Sequence, residues 1–368
     1  MHLYAFLKAQ AALSLSTFSK ASLVLFMAVM TSAPVIVRYL ERYELEFLAR
    51  TVSYIGYVWM GGLILFFSLA LCLDSYRVLV YIISRVGHAD LSSLSLSSWY
   101  SFIVPLIFAF IAGTYGFFEA RNIRVEQLTI KTSKIPEGNN PLRIVQISDV
   151  HVGLIVRGER LKRIAEKVKG VAPDILLSTG DLVDGQINKI EGLAEILKEI
   201  KPRYGKYAVT GNHEYYAGLD QALDFTRKAG FALLRGEAVH AAGVSIAGVD
   251  DTTGNQFGRF NGSSEKELLS GLDPAHFRIL LKHRPRVNDH APGLFDLQLS
   301  GHTHRGQIFP FSLITKLYFP KHSGYERLPN ASHLYVSRGS GTWGPPIRFL
   351  SPPEVTVINL VHEGEQGN

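Results

Sequence analysis

Three stretches of this chain contain no Asp, Glu, Lys or Arg: residues 21–37, 51–73 and 91–118, the last most densely apolar from Trp99 onward. A helix needs about 20 mostly apolar residues to cross the hydrocarbon core of a bilayer, with about 17 as the short limit. Each run is long enough to span. Buried helices of a soluble protein are the competing reading, but they seldom stay free of charge over such lengths. Lys20 and Arg38 bracket the first run, Arg50 and Asp74 the second, and Tyr100 and Tyr115 stand toward the ends of the third, where interfacial anchors belong. The expectation is three transmembrane helices, at 21–37, 51–73 and 99–118. Residues 1–19 read as an interfacial helix, or as the tail of a span whose beginning is missing; several long apolar runs in succession do not make a secretory signal. The run 78–83 is too brief to cross and is expected to lie along the surface. Pro34 is a candidate kink, and Gly61 and Gly62 are candidate points of close helix contact.

Charge density separates this region from the rest. The first 120 residues carry 7 Lys+Arg and 6 Asp+Glu, against 31 and 26 in the remaining 248. The predicted organisation is a membrane region at 1–120, a linker with an edge strand at 121–140, a water-soluble domain at 141–363 and a tail at 364–368. With three spans, Arg38, Arg42, Arg50, Arg121, Arg124, Lys131 and Lys134 share the side of the soluble domain, while Lys8, Lys20, Arg77 and Arg85 face the other. That excess places the domain on the cytoplasmic side by the positive-inside rule. The net charge of +6 is spread without a basic block, so no nucleic-acid partner is expected. A single cysteine, Cys72, excludes an intrachain disulfide framework, a multi-cysteine zinc site and a C-x-x-C redox pair.

After residue 120 continuous apolarity gives way to alternation. Ile123, Val125, Leu128 and Ile130 predict an edge strand entering a turn at 136–141. Short strands are predicted at 142–147, 175–178, 207–210, 232–234, 244–249, 279–282, 297–300 and 334–337, and helices at 158–170, 189–200 and 219–229. This rhythm gives an α/β domain in which helices cover packed sheets. Five strands run directly into Asp, His or Asn: QISDVH (146–151), STGDLVD (178–184), VTGNHE (209–214), LLKH ending at His283, and LSGHTH (299–304). Ligands of layered α/β proteins collect beyond the carboxyl ends of strands, so the five clusters are expected to converge. Carboxylate, amide and imidazole donors suit Mn, Fe or Zn. Gathered without a cation they would leave unpaired buried charge, which two divalent ions would neutralise. Gly180, Gly211 and Gly301 are expected to let the backbone turn sharply there.

In this order the five clusters resemble the calcineurin-like metallophosphoesterase superfamily over residues 142–360, and Gly301-His302-Thr303-His304 is the most specific of them. The segment YVSRGSGTWGPPIRF (335–349) resembles the membrane-associated branch of that superfamily. The resemblance implies N-terminal transmembrane helices followed by an α/β/β/α sandwich and two divalent metal ions (Mn, Fe or Zn). It implies that Asp149, His151 and His304 hold one ion, Asn212, His283 and His302 the other, and that Asp181 bridges both. His213 would be the proton donor or transition-state stabiliser, oriented by Asp184; the competing reading of Asp184 is a cap before Gly185. The implied activity is hydrolysis of a phosphodiester, phosphomonoester or pyrophosphate. A bilayer tether favours a lipid or nucleotide-linked lipid as substrate. The alternatives are a nuclease or cyclic-nucleotide phosphodiesterase, and a non-catalytic membrane metal-binding scaffold or sensor. Arg305 departs from the small residue expected after the histidine pair. Phe257, Phe260, Phe309, Phe311 and Trp343 are candidates for an acyl-facing rim, and Arg284, Arg286, Arg338 and Arg348 for phosphate contacts, with ordinary packing and solvated surface as the alternatives.

Overall fold

A computed structural model describes residues 1–137, 141–185, 190–262 and 264–363. The turn residues 138–140, the start of the predicted helix 189–200 and the tail 364–368 lie outside the described residues. Contacts divide the chain into two compact units, one of which takes two short segments from late in the sequence: Met1–Phe118 with Ile308–Pro310 and Gly344–Phe349.

In that first unit, α1 (His2–Ala12), α2 (Thr17–Arg42), α3 (Glu46–Gly87) and α4 (Ser98–Glu119) follow one another. Three of the helical stretches are long and apolar enough to cross a membrane, on α2, α3 and α4. The second apolar run does not end its helix: α3 continues through Asp74, and residues 78–83 form its later turns instead of a separate surface segment. No Pro or Gly interrupts residues 74–86, and the helix stops only at Gly87, with His88 in the left-handed conformation behind it. Its 42 residues extend roughly 63 Å at about 1.5 Å per residue, well beyond a hydrocarbon core of about 30 Å. The Tyr4 hydroxyl donates to Asp74 at 2.6 Å, Lys8 pairs with the same carboxylate, and Trp59 Nε1–H donates to His2 at 2.9 Å, which pins α1 to α3. Close approach of α2 and α3 falls at neither predicted glycine. A Cβ on Gly56 would stand 2.7 Å from that of Ala33, whereas Gly61 faces Ile347 and Pro345 and Gly62 faces open space. Ile308 and Ile347 complete the apolar cluster of Leu63, Leu65, Phe66, Ala109 and Ala112.

The second unit is built on two six-stranded sheets. The strands are β1 (Arg124–Thr132), β2 (Leu142–Ile147), β3 (Ile175–Ser178), β4 (Lys206–Ala208), β5 (Ala232–Leu233), β6 (Glu237–Ala241), β7 (Val244–Gly248), β8 (Phe277–Leu281), β9 (Leu297–Ser300), β10 (Gly324–Arg327), β11 (His333–Val336) and β12 (Glu354–His362). One sheet has the order β1-β12-β2-β3-β4-β5 and the other β10-β11-β9-β8-β7-β6. Helices α5 (Gly158–Gly170), α6 (Ala194–Lys198), α7 (Asn212–Tyr216), α8 (Leu219–Lys228), α9 (Thr253–Gln256), α10 (Glu265–Ser270) and α11 (Phe311–Tyr318) complete the unit. Period-two alternation assigns the faces. Ile144, Ile175 and Leu177 meet Ile279, Leu281 and Leu297 between the sheets. The intervening Val145 and Leu176 turn outward onto Leu161, Ile164 and Val168 of α5 and Phe225 of α8, and Leu280 and Leu334 turn outward onto Leu269 of α10. The layers are helix, sheet, sheet, helix. Sequence periodicity missed β6, β10 and β12; β6 and β10 carry few buried residues, so neither shows a continuous apolar run. β12 lies between β1 and β2, parallel to the first and antiparallel to the second, and places the chain's last described strand inside the sheet.

Candidate metal centre

Strands β2, β3 and β4 are parallel neighbours in one sheet, and β8 and β9 in the other. Within each sheet these backbones end in the same direction, and the residues that follow all five carry the candidate donors. Asp149, His151 and His304 bring ligand atoms within 4.8 Å of one another, and so do Asp181, His283 and His302. Asp181 reaches both groups: its Oδ2 lies 3.2 Å from His283 Nε2 and 3.8 Å from His151 Nε2. His151 Nε2 faces His304 Nε2 at 3.1 Å, and His302 Nδ1 faces His283 Nε2 at 3.2 Å. Asn212 is buried with its Oδ1 lacking any hydrogen-bond partner. All seven sequence-predicted ligands are thus at the ends of these five strands.

The donor set fits a pair of divalent ions. Paired imidazole nitrogens facing each other and an orphaned buried amide oxygen are costly without a shared cation. The electrostatics point the same way. Burial lowers the pKa of His302 to about 3, with the neighbouring His283 adding to the shift. Burial also opposes charge on His283, but the carboxylates of Asp181, Asp149 and Asp251 lift it to about 10. Burial, assisted by the Asp181 charge, pushes Asp149 up to about 6. Adjacent groups driven in opposite directions in one buried pocket form a set that positive charge would relieve. His283 Nδ1 donates to the Thr179 carbonyl at 2.8 Å, which orients the ring and leaves Nε2 aimed into the cluster.

Backbone conformation marks the same residues. Asp149, His151, Asp181, His302 and His304 all adopt positive φ, between 47° and 71°. Asp, Asn and His enter this region more readily than most side chains, yet such strain collects at functional sites. Of the three glycines expected to permit sharp turns, only Gly180 has positive φ, at 94°. Gly211 and Gly301 serve by lacking a side chain. A Cβ on Gly211 would stand 2.1 Å from Asp181 Oδ1, and one on Gly301 2.2 Å from Asp149 Oδ2.

His213 and Asp184 sit beside the donors, with Nδ1 to Oδ1 at 2.9 Å. The same Asp184 oxygen accepts the N–H of the adjacent Gly185 at 2.8 Å. Trp343 and Tyr216 pack against the His213 ring at centroid distances of 6.0 and 5.3 Å. Three further contacts lie around the donors and behind them, two of them made by arginines that were candidates for phosphate contact. Glu214 accepts the backbone N–H groups of Gly211, Asp181 and Leu182 at 2.6, 3.0 and 2.8 Å. Arg284 is bound to Asp251 at 2.8 Å, and Arg338 pairs with Glu126 and Glu354. Within the 335–349 segment, Ser340 and Gly341 donate to the carbonyls of Ser148 and Asp149 at 2.7 and 3.0 Å, holding the strand end that carries the first donor. Arg348 is fully buried and Arg286 lies over the Phe319 ring.

The profile of the calcineurin-like phosphoesterase family matches residues 142–306. An uncharacterized metallophosphoesterase of Aquifex aeolicus (strain VF5) is 43% identical over 261 residues, covering 70% of this chain and 100% of that one. Another, from Helicobacter pylori (strain J99), is 34% identical over 256 residues, covering 68% and 67%. A transmembrane protein with metallophosphoesterase domain from Danio rerio is 31% identical over 319 residues, covering 78% of this chain and 72% of its own.

Proposed function

This chain belongs to the calcineurin-like phosphoesterase family, a family of metal-dependent phosphoester hydrolases, and from that premise we propose that it hydrolyses a phosphoester presented at a membrane surface. The reach of Asp181 toward both donor groups carries this reading. Asp149, His151 and His304 would hold one divalent ion and Asn212, His283 and His302 the second, with Asp181 within reach of both groups. Once bound, two such ions activate water and neutralise charge on the phosphoryl oxygens. The chain's own residues do the rest. His213, its ring fixed by Asp184, donates a proton to the leaving oxygen or stabilises charge there. Glu214 and the Gly301 gap keep the Asp181 and Asp149 carboxylates in place.

The metals are Mn, Fe or Zn, in keeping with a donor set of oxygen and imidazole nitrogen. A lipid or nucleotide-linked lipid phosphoester is the preferred substrate because the catalytic domain shares its chain with three apolar helices. The excess of basic residues on its side favours a cytoplasmic domain. The experiment is turnover of a water-soluble aryl phosphodiester by the purified chain with added manganese. Asp181→Asn and His302→Ala are each expected to reduce it by a factor of at least about 100, an interaction loss of roughly 2.7 kcal/mol. Undiminished turnover in either variant would refute the assignment.

A further inference from the structure

Helix α11 is built the wrong way round for a helix bathed in water. A surface helix normally turns its apolar stripe inward and its polar residues outward. Here the half-buried positions are Ser312 and Thr315, while Phe311, Leu313, Ile314, Leu317 and Tyr318 are exposed, and the helix has no buried residue at all. At about 100° per residue those five side chains form one continuous arc. Leu317 is 81% exposed and Tyr318 73%. The small polar face is the one that docks: a Cβ on Gly306 would stand 2.4 Å from the Ser312 Cα, so α11 lies directly on the turn that carries His304.

Three observations say what covers the arc. Residues 305–325 contain no Asp or Glu; Lys321 pairs with Glu326 just beyond them at 3.0 Å, and Arg305 and Lys316 give the stretch a positive balance suited to anionic headgroups. Arg305 and Lys316 are both exposed. The segment that leads into the helix, Ile308–Pro310, belongs to the cluster of membrane helices, where Ile308 is buried. We propose that α11 is a second membrane element of this protein: it lies in the bilayer interface with Phe311, Leu313, Ile314, Leu317 and Tyr318 among the acyl chains and Lys316 at the level of the phosphates. This inference concerns lipid contact and stands whether or not the chain turns over a phosphoester.

Site-directed spin labelling of the full chain tests it. With Cys72→Ser as background, L317C is labelled and compared with E166C on the exposed face of α5 and with F110C on the exposed face of α4. Single chains are placed in nanodiscs of phosphatidylcholine and phosphatidylglycerol. Leu317 carries little packing, so its replacement leaves the fold intact. The label at 317 is expected to lose collisions with an aqueous nickel chelate and gain collisions with oxygen, as at 110. Nickel access at 317 equal to that at 166 would overturn the proposal. So would protection that appears only when several copies share one vesicle, because a second chain would then be the cover.

Discussion

His213 Nδ1 stands 2.9 Å from the Asp184 carboxylate, close enough for that charge to act directly on the ring. Burial opposes a charge on that ring, yet the carboxylates of Asp181 and Asp184 raise its pKa to about 9. A proton donor works below its pKa, so activity that depends on protonated His213 is lost as pH rises through it. Asp184→Asn removes the charge and keeps the shape. His213 then titrates lower, and the alkaline limb of the kcat profile moves to lower pH. A fall in kcat of about 100-fold is expected, the lower end of what a positioned acid contributes. A pH–rate profile in which the alkaline limb does not move would exclude Asp184 as the group that sets the proton affinity of His213.

Gly301 and Gly211 test the placement of the carboxylates. Added methyl groups would meet Asp149 Oδ2 at 2.2 Å and Asp181 Oδ1 at 2.1 Å. Neither position needs positive φ, but at Gly211 the added carbon would also stand 2.6 Å from the Asp181 backbone nitrogen and at Gly301 1.9 Å from Ser148 Oγ, so the strands' ends must shift to admit it. Gly301→Ala and Gly211→Ala are expected to lose some stability and to weaken metal binding by about 10- to 100-fold, the usual effect of disturbing groups that orient ligands. Calorimetric titration with manganese measures this, and wild-type affinity in both would show that the carboxylates can shift freely.

How much of this was legible beforehand depends on the scale of the signal. The ends of β2, β3 and β9, and of α5, fell where alternation and apolar spacing put them, because each buries a complete face. The donors were legible as Asp, His and Asn directly after such strands. What escaped were features without a local pattern. The run 78–83 looked like a separate segment because its length was judged alone, while helix propagation through Asp74 depends on the absence of a breaker. Glu214 was visible as a letter beside His213, but its backbone bonds arise only once β3 and β4 lie side by side. Gly211 and Gly301 were noticed for the wrong physical reason. Their service is space, and space is a property of neighbours far away in sequence.

Glu214 carries its own prediction. Its carboxylate satisfies the N–H groups of Gly211, Asp181 and Leu182 inside the protein, where each would otherwise be left unpaired. Leaving a buried donor without a partner costs about 1–3 kcal/mol. Glu214→Ala is therefore expected to destabilise the catalytic domain by at least about 3 kcal/mol. Glu214→Gln keeps one acceptor oxygen and is expected to cost less, with a clear loss of turnover because the loop bearing Asp181 is no longer held from both sides. Thermal unfolding of the two variants separates them, and equal melting temperatures for alanine and wild type would deny Glu214 this role.

Ion binding should also be readable in stability alone. The donors stand ready at the ends of five strands, and burial together with the charge of Asp181 pushes Asp149 up to about 6. The metal-free fold therefore carries a penalty that bound cations remove. A ligand that binds only the folded state at about 100 times its dissociation constant adds roughly 2.7 kcal/mol. Manganese is expected to raise the melting temperature of the chelator-treated protein. Asp181→Asn is expected to abolish most of that rise while leaving the metal-free melting temperature little changed, since losing one buried carboxylate relieves Asp149 as it removes contacts with His283 and His213. Calorimetric scans with and without chelator give both numbers. A rise of the same size in the variant would mean that the stabilising ion binds away from Asp181.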